Sequence, residues 1–475
     1  MNRRKFCTLI TATGIAKVLA RSGPALGQSR SGSEIALPYT KRMRWFEEAR
    51  FGMFIHWGAY SMLGHGEWAM HSDRMPFAEY QNVAGAFQPA PFDAREIVGL
   101  AKSTGMKYIV ITAKHHDGFC MWNSKLTNYN IFTWGRFGRD PMKEMAEECR
   151  RQGIRLGFYY SVRDWHHPDW TLRYVHLNKK GPNYGSWWGY EASPWTNGHI
   201  YDCGCPACMK NIPITPQMDP RPTTAQGANM NLYLDYMKGE ITELLTNYGP
   251  VSVMWFDGQD ILNPRLGRVQ EMISTMRRLQ PDVIINDRVG PDGLYMGDYG
   301  VQEGKIPGST ISRPWETCMT SNGSWGYTGN SGWKTPRDVV HSLVDTTSKG
   351  GNLLLNIGPD GKGIVPSGCI SQLKAVGDWM RINEPSIRDC GSAGLPQPKW
   401  GRITANGNRI YLHVFDWPAD STLFVAELNK SVKRAHLISD AGQKSLAATS
   451  TTEGLRIRLP GAAPDPIDSV VLLEV

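Results

Sequence analysis

Short apolar runs that end in a polar or aromatic residue recur along most of the chain, at positions 51–57, 108–114, 156–161, 251–257, 283–288 and 352–357. Each has strand length and is rich in Ile, Val, Tyr or Phe, the texture of strands buried on both faces of a parallel sheet. Between them, apolar residues recur at helical spacing over 93–103, 141–152, 232–247, 264–279 and 336–348. Thr335 before Pro336 reads as an N-cap followed by proline at the first helical position, and Asp93 and Asp140-Pro141 are further helix starts. Strand–helix alternation predicts a parallel α/β fold. The polar residues His56, His115, His116, Asp257 and Arg288 fall at the C-terminal ends of the predicted strands, where a (β/α)8-like barrel assembles its active site. A doubly wound open sheet is the competing architecture, but no Gly-x-Gly-x-x-Gly turn follows the first strand.

Two stretches break this pattern. Residues 163–228 are rich in Pro, Gly, Trp and Cys with little periodicity, and read as a long loop over the barrel mouth. Beyond about residue 390 the chain turns into short strand-like pieces at 409–415, 423–426, 435–437, 455–459 and 469–474, separated by turn residues. This predicts a C-terminal antiparallel β-sandwich over 391–475, after a catalytic barrel over 28–390.

Charge and cysteine usage refine the class. Five of the eight net positive charges lie in the first 28 residues, at Arg3, Arg4, Lys5, Lys17 and Arg21. The rest shows no basic run, so no nucleic-acid footprint is expected. Asn2-Arg3-Arg4-Lys5-Phe6, a mildly apolar stretch and Ala25-Leu26-Gly27 together read as a twin-arginine-type signal peptide over 1–27. The expected mature protein is exported, periplasmic or secreted, with no membrane span. Cys203, Cys205 and Cys208 form a tight cluster that fits a local disulfide with one spare thiol, a metal site with a fourth ligand, or free thiols.

Asp257 carries the strongest chemical signal. It closes a hydrophobic strand and is followed by Gly258, a costly place for a charge unless it faces a cleft. His115 and His116 follow another strand in the same way and reach the same mouth as His56, as hydroxyl-binding groups rather than metal ligands. Arg288 brings a guanidinium fork suited to substrate hydroxyls or to orienting a carboxylate. Glu67, Glu303 and Glu316, read as lying in irregular segments, supply the possible second carboxylate. A retaining glycosidase needs two carboxyl groups about 5–5.5 Å apart. Trp57, Trp68, Trp122, Trp165, Trp170, Trp187, Trp188, Trp255, Trp315 and Trp325 fall in or beside these segments as candidate platforms for a sugar's C–H face.

Phe54-Ile55-His56-Trp57-Gly58, Glu67-Trp68, Lys114-His115-His116-Asp117-Gly118-Phe119, Tyr159-Tyr160-Ser161, Trp255-Phe256-Asp257-Gly258, Asn286-Asp287-Arg288, Trp315-Glu316 and the segment from Gly350 to Pro359 occur in the order seen in glycoside hydrolase family 29. The resemblance spans about residues 40–390. It implies a retaining α-L-fucosidase without a cofactor, acting on a fucosylated oligosaccharide or glycoconjugate through a covalent fucosyl-enzyme. It further implies Asp257 as nucleophile and Glu303 as general acid/base, with Glu67 in reserve because that position varies in the family. His56, Glu67, Trp68, His115, His116, Tyr160, Trp255, Arg288 and Trp315 are the implied fucose-binding residues. Gln259-Asp260 departs from the Glu and Trp often found after the nucleophile's glycine. A non-catalytic fucose-binding protein and an exo-glycosidase for a related sugar such as L-galactose are the alternatives.

Overall fold

The computed structural model describes residues 39–73, 75–167, 169, 230–259, 266–291 and 293–475. Residues 1–27, Asp260, Trp170, Trp187, Trp188 and the three clustered cysteines lie outside the described residues, as does most of 163–228. Eight parallel strands form one sheet: β1 (Phe51–Ile55), β2 (Tyr108–Lys114), β3 (Arg155–Ser161), β4 (Val253–Asp257), β5 (Ile284–Ile285), β6 (Gly300–Glu303), β7 (Trp315–Thr320) and β8 (Asn352–Ile357). Their order is β5-β4-β3-β2-β1-β8-β7-β6. The sheet curls until its edges meet at a parallel bridge between Asn286 and Tyr299. There Asp287 N donates to Tyr299 O at 2.9 Å and Asp298 N to Ile285 O at 2.6 Å.

Side-chain alternation divides the barrel into two packed regions. Phe54, Val110, Tyr159, Val253, Trp255, Tyr299, Cys318 and Leu354 fill the interior. Their strand neighbours Ile55, Ile111, Tyr160, Met254 and Leu355 face outward into the helical layer. The helices Ala94–Ser103, Pro141–Gln152, Met230–Asn247, Leu266–Leu279 and Pro336–Ser348 occupy the expected places, and Ser367–Asn383 follows β8. Capping supports their starts. Asp93 accepts from Arg95 N, Asp140 accepts from Lys143 N ahead of Pro141, and Thr335 forms a reciprocal capping box with Asp338.

Two strands differ from expectation. Glu303 and Glu316, expected in irregular segments, sit on β6 and β7. Among the described residues no α-helix separates β5 from β6 or β6 from β7, so the alternation that reveals the other strands is missing there.

The remaining chain forms two antiparallel sheets. One holds β9 (Gly391–Ser392), β10 (Gly401–Asn406), β11 (Arg409–Val414), β13 (Arg434–Leu437) and β16 (Ser469–Glu474); the other holds β12 (Thr422–Ala426), β14 (Ala448–Thr451) and β15 (Gly454–Arg458). Ile403, Leu412, Val425, Ile457 and Val471 pack between them, giving the expected sandwich. It docks on helices after β7 and β8. His341 Nε2 meets Ile467 O at 2.8 Å, and Trp379 Nε1 donates to Asp468 O at 3.0 Å. Among the described residues no helix is long and apolar enough to cross a membrane.

Candidate active site

The C-terminal ends of the barrel strands converge on Asp257. Its position two residues after Trp255 on β4 points it inward, and Gly258 then turns the chain away with φ +73°. A Cβ there would lie 2.7 Å from Arg163 Cγ, so only glycine fits without displacing Arg163. Arg288 Nη1 donates to Asp257 Oδ1 at 2.7 Å, and Tyr159 Oη donates to Oδ2 at 2.8 Å. Burial alone would raise the Asp257 pKa, but the Arg288 guanidinium, with the Tyr159 hydroxyl, outweighs it. The carboxyl is held well below the ordinary range and stays ionised.

Arg288 also reaches a second carboxylate, its Nη2 donating to Glu303 Oε2 at 2.6 Å. One guanidinium therefore spans Asp257 and Glu303, which stand on β4 and β6. Glu67 enters from the loop after β1, where Gly326 N donates to its Oε2 at 2.8 Å. Burial raises its pKa, with Glu303 and Asp257 adding to the shift. Glu316 is different. It sits one inward position deeper on β7, accepting from Tyr108 Oη at 2.5 Å and Trp255 Nε1 at 3.0 Å. Burial pushes its pKa up to about 7. This acid belongs to the barrel floor.

Three imidazoles line one wall. Asn356 donates from Nδ2 to Trp325 O at 2.7 Å, which turns its Oδ1 toward His56 Nδ1, also at 2.7 Å. His56 Nδ1 therefore carries the proton and leaves Nε2 as an acceptor. Ser161 Oγ donates to Arg163 O at 2.6 Å and so accepts from His116 Nδ1 at 2.6 Å. His116 Nε2 then presents a lone pair beside Asp257, 3.6 Å from its Oδ2, as an acceptor for a substrate hydroxyl. Burial lowers the pKa of His56 to about 4 and of His116 to about 3. Both are neutral above about pH 5. His115 stacks on Tyr159 at 5.4 Å, its buried Nδ1 lacking a hydrogen-bond partner among the described residues.

Adjacent histidines share this wall because the strand ends there. Pairing between β2 and β3 shifts between Thr112 and Lys114, a bulge that sends Lys114 outward and His115 inward. Gly118, at φ +74°, completes the turn, and a Cβ on it would come within 2.2 Å of Asp164 Oδ1. Outside the barrel, Lys114 Nζ donates to Glu240 at 2.6 Å, Asp164 at 2.9 Å and Tyr160 Oη at 2.8 Å.

The structure therefore brings together His56, Glu67, Trp68, His115, His116, Trp255, Asp257, Arg288 and Glu303. Trp68 meets His116 edge-on at 5.1 Å, and Trp255 lies beneath Arg288 at 5.1 Å. Two expected contacts are corrected. Tyr160 alternates outward and is fully buried, donating to Glu240 Oε2 at 2.5 Å, while Tyr159 takes the inward place. Trp315 is the first residue of β7, at the opposite end of the barrel from Asp257, with Nε1 on Lys349 O at 3.3 Å. Trp57 stacks on Phe92 and Trp122 donates to Glu243, so both serve outer packing rather than the mouth. Trp165 and Trp325 do flank the histidines, at 5.3 Å from His116 and His56 respectively. Tyr159 and Asn356 were missed; alternation separates each from its strand neighbours, but only the register of β3 against β4 and of β8 against β1 shows which face is inward.

Comparisons with known proteins bear on the family and the fold. The Alpha-L-fucosidase family model matches residues 33–385. An alpha-L-fucosidase of Dictyostelium discoideum is 26% identical over 465 residues, covering 88% of this chain and 89% of that protein. Human plasma alpha-L-fucosidase is 27% identical over 414 residues, 80% of this chain and 78% of its own length. The structure of alpha-L-fucosidase isoenzyme 1 from Paenibacillus thiaminolyticus superposes with a TM-score of 0.77 at 35% identity, covering 92% of this chain and 99% of that one. A Bacteroides thetaiotaomicron alpha-L-fucosidase, solved as a trapped covalent intermediate with 2-fluoro-fucosyl fluoride, gives 0.75 at 26% identity, covering 91% and 96%. The family model covers most of the chain and the solved relatives share its barrel and C-terminal β-domain, so the chain belongs to the alpha-L-fucosidase family of glycoside hydrolases, family 29.

Proposed function

We propose that the protein is a retaining exo-α-L-fucosidase that removes terminal fucose from a fucosylated oligosaccharide or glycoconjugate. The observation that carries this reading is the single guanidinium of Arg288 clasping both Asp257 and Glu303. Asp257, ionised and fixed by two hydrogen bonds, attacks the anomeric carbon as the bond to the leaving oxygen breaks. Glu303 donates its proton to that oxygen. In the fucosyl-enzyme Asp257 is an uncharged ester and Glu303 has become the carboxylate. Arg288 thus has an anionic partner at each stage. Glu303 then takes a proton from water, whose oxygen attacks the same carbon and releases Asp257. Neutral His56 and His116 accept hydrogen bonds from sugar hydroxyls through Nε2.

A second assignment of the acid/base, Glu67, is favoured by its burial and raised pKa. Rescue by azide separates the roles. Asp257→Ala should lose activity by at least about a thousandfold and, with azide, yield β-fucosyl azide. Glu303→Ala should yield α-fucosyl azide by way of the intermediate. If instead Glu67→Ala gives the α-azide and Glu303→Ala does not, the acid/base is Glu67. NMR of the first-formed sugar should show α-L-fucose; the β anomer would refute a double displacement.

The twin-arginine pattern at Arg3-Arg4 and the small residues before Gln28 support export of this enzyme with removal of 1–27. Mass spectrometry of the mature N-terminus after expression in a bacterial host tests it: an intact Met1 in the periplasmic fraction would refute cleavage.

A further inference from the structure

Beside the two carboxylates lies a small polar cleft of about 230 Å³, lined by Gln259, Asp287, Arg288, Tyr295 and Val301 with Pro291 and Gly293 at its edge. It opens between the ends of the strands that carry the proposed chemistry. Gln259 is two residues past Asp257, Asp287 precedes Arg288, and Val301 is two residues before Glu303 on β6. Arg288, which contacts both Asp257 and Glu303, is the residue this cleft shares with the proposed catalytic pair, so the cleft adjoins the side on which Glu303 stands.

Tyr295 is unusual in two independent ways. Its backbone has φ +49°, a left-handed conformation that is costly for a bulky side chain. Its side chain is also left open, with the residue 63% exposed. The ring nevertheless has a defined support. The Arg313 guanidinium lies 4.6 Å from its centroid, and Arg313 Nη1 is 3.9 Å from Asp287 Oδ2. Asp287 is itself fixed, its Oδ1 accepting from Val301 N at 3.1 Å. An exposed aromatic ring held against an arginine, beside a carboxylate and an amide, matches the needs of a pyranose. The ring covers the sugar's C–H face while the polar groups meet its hydroxyls.

We propose that this cleft receives the sugar to which fucose is attached, with Tyr295 as its stacking face and Asp287 and Gln259 as its hydroxyl partners. The assignment rests on the fucosidase reading with Glu303 on the leaving-group side. It makes Tyr295 a determinant of leaving-group specificity that takes no part in bond cleavage.

The test compares α-L-fucosyl fluoride, which has no leaving-group sugar, with a panel of fucosylated disaccharides differing in linkage. For Tyr295→Ala, kcat/KM on the preferred disaccharide should fall on the order of tenfold more than on the fluoride. Tyr295→Phe, which keeps the ring, should hold the wild-type ratio. An unchanged ratio in Tyr295→Ala, or equal losses on both substrates, would overturn the proposal. A wild type that releases fucose from neither substrate would instead overturn the functional reading beneath it.

Discussion

Tyr159 and Tyr160 are neighbours with equal burial and opposite roles, because alternation on β3 sends one hydroxyl to Asp257 and the other to Lys114 and Glu240. Removing the first should weaken catalysis and removing the second should weaken the fold. A hydrogen bond to a charged group is worth about 1.5–3 kcal/mol. Tyr159→Phe is therefore expected to lower kcat about ten- to a hundredfold, with little change in the thermal midpoint. Tyr160→Phe should leave kcat and KM near wild type and cost about 1–3 kcal/mol of stability, measured by denaturant unfolding. Asp257, Arg288 and the three histidines were legible in the sequence because a charge or imidazole that closes an apolar strand is costly to bury unless it faces a cleft. Two adjacent tyrosines offer no such contrast; choosing between them requires knowing which one shares the face of Asp257.

Elements show the same division. The apolar strands and capped helices announce themselves; β6 and β7 do not. Gly300–Glu303 and Trp315–Thr320 mix polar and apolar residues and lack intervening helices, so neither periodicity nor alternation marks them. Only their neighbours in the closed sheet make them strands. Inside that closure Glu316 acquires a testable property. Its pKa rises from 4.5 to about 7, so the neutral acid favoured by the fold contributes stability fully below about pH 4.5. That contribution is lost as pH rises through about 7, to the extent of about 3 kcal/mol. Glu316→Gln, permanently neutral, should lack this loss. The thermal midpoint of the wild type should therefore fall relative to Glu316→Gln between pH 5 and pH 8; parallel midpoints would show that Glu316 is ionised throughout.

Across the whole molecule, a fully buried joint outside the active site, Lys114 with Asp164 and Glu240, ties β2, the segment after β3 and helix Met230–Asn247 together. Burial opposes the ammonium, but the two carboxylates more than reverse that effect, and Asp164 in turn is held at about 2. Lys114→Met would leave two buried carboxylates without their cation and should destabilise the protein by about 3–5 kcal/mol. Because His115 and His116 leave the strand directly after Lys114, the same variant should also raise KM, whereas Tyr160→Phe should not. The sequence by itself determined the α/β class, the sandwich texture of the tail, the helix caps and the strand-end chemistry, since these follow from local periodicity and from the cost of burying charge. The tertiary structure alone decided that Glu303 shares Arg288 with Asp257, that Glu316 and Trp315 lie at the barrel floor, and that Tyr159 replaces Tyr160 at the site. Those outcomes depend on inward or outward alternation, a bulge at the end of β2 and the closing of one sheet edge on another, none of which is fixed by residues near one another in the chain.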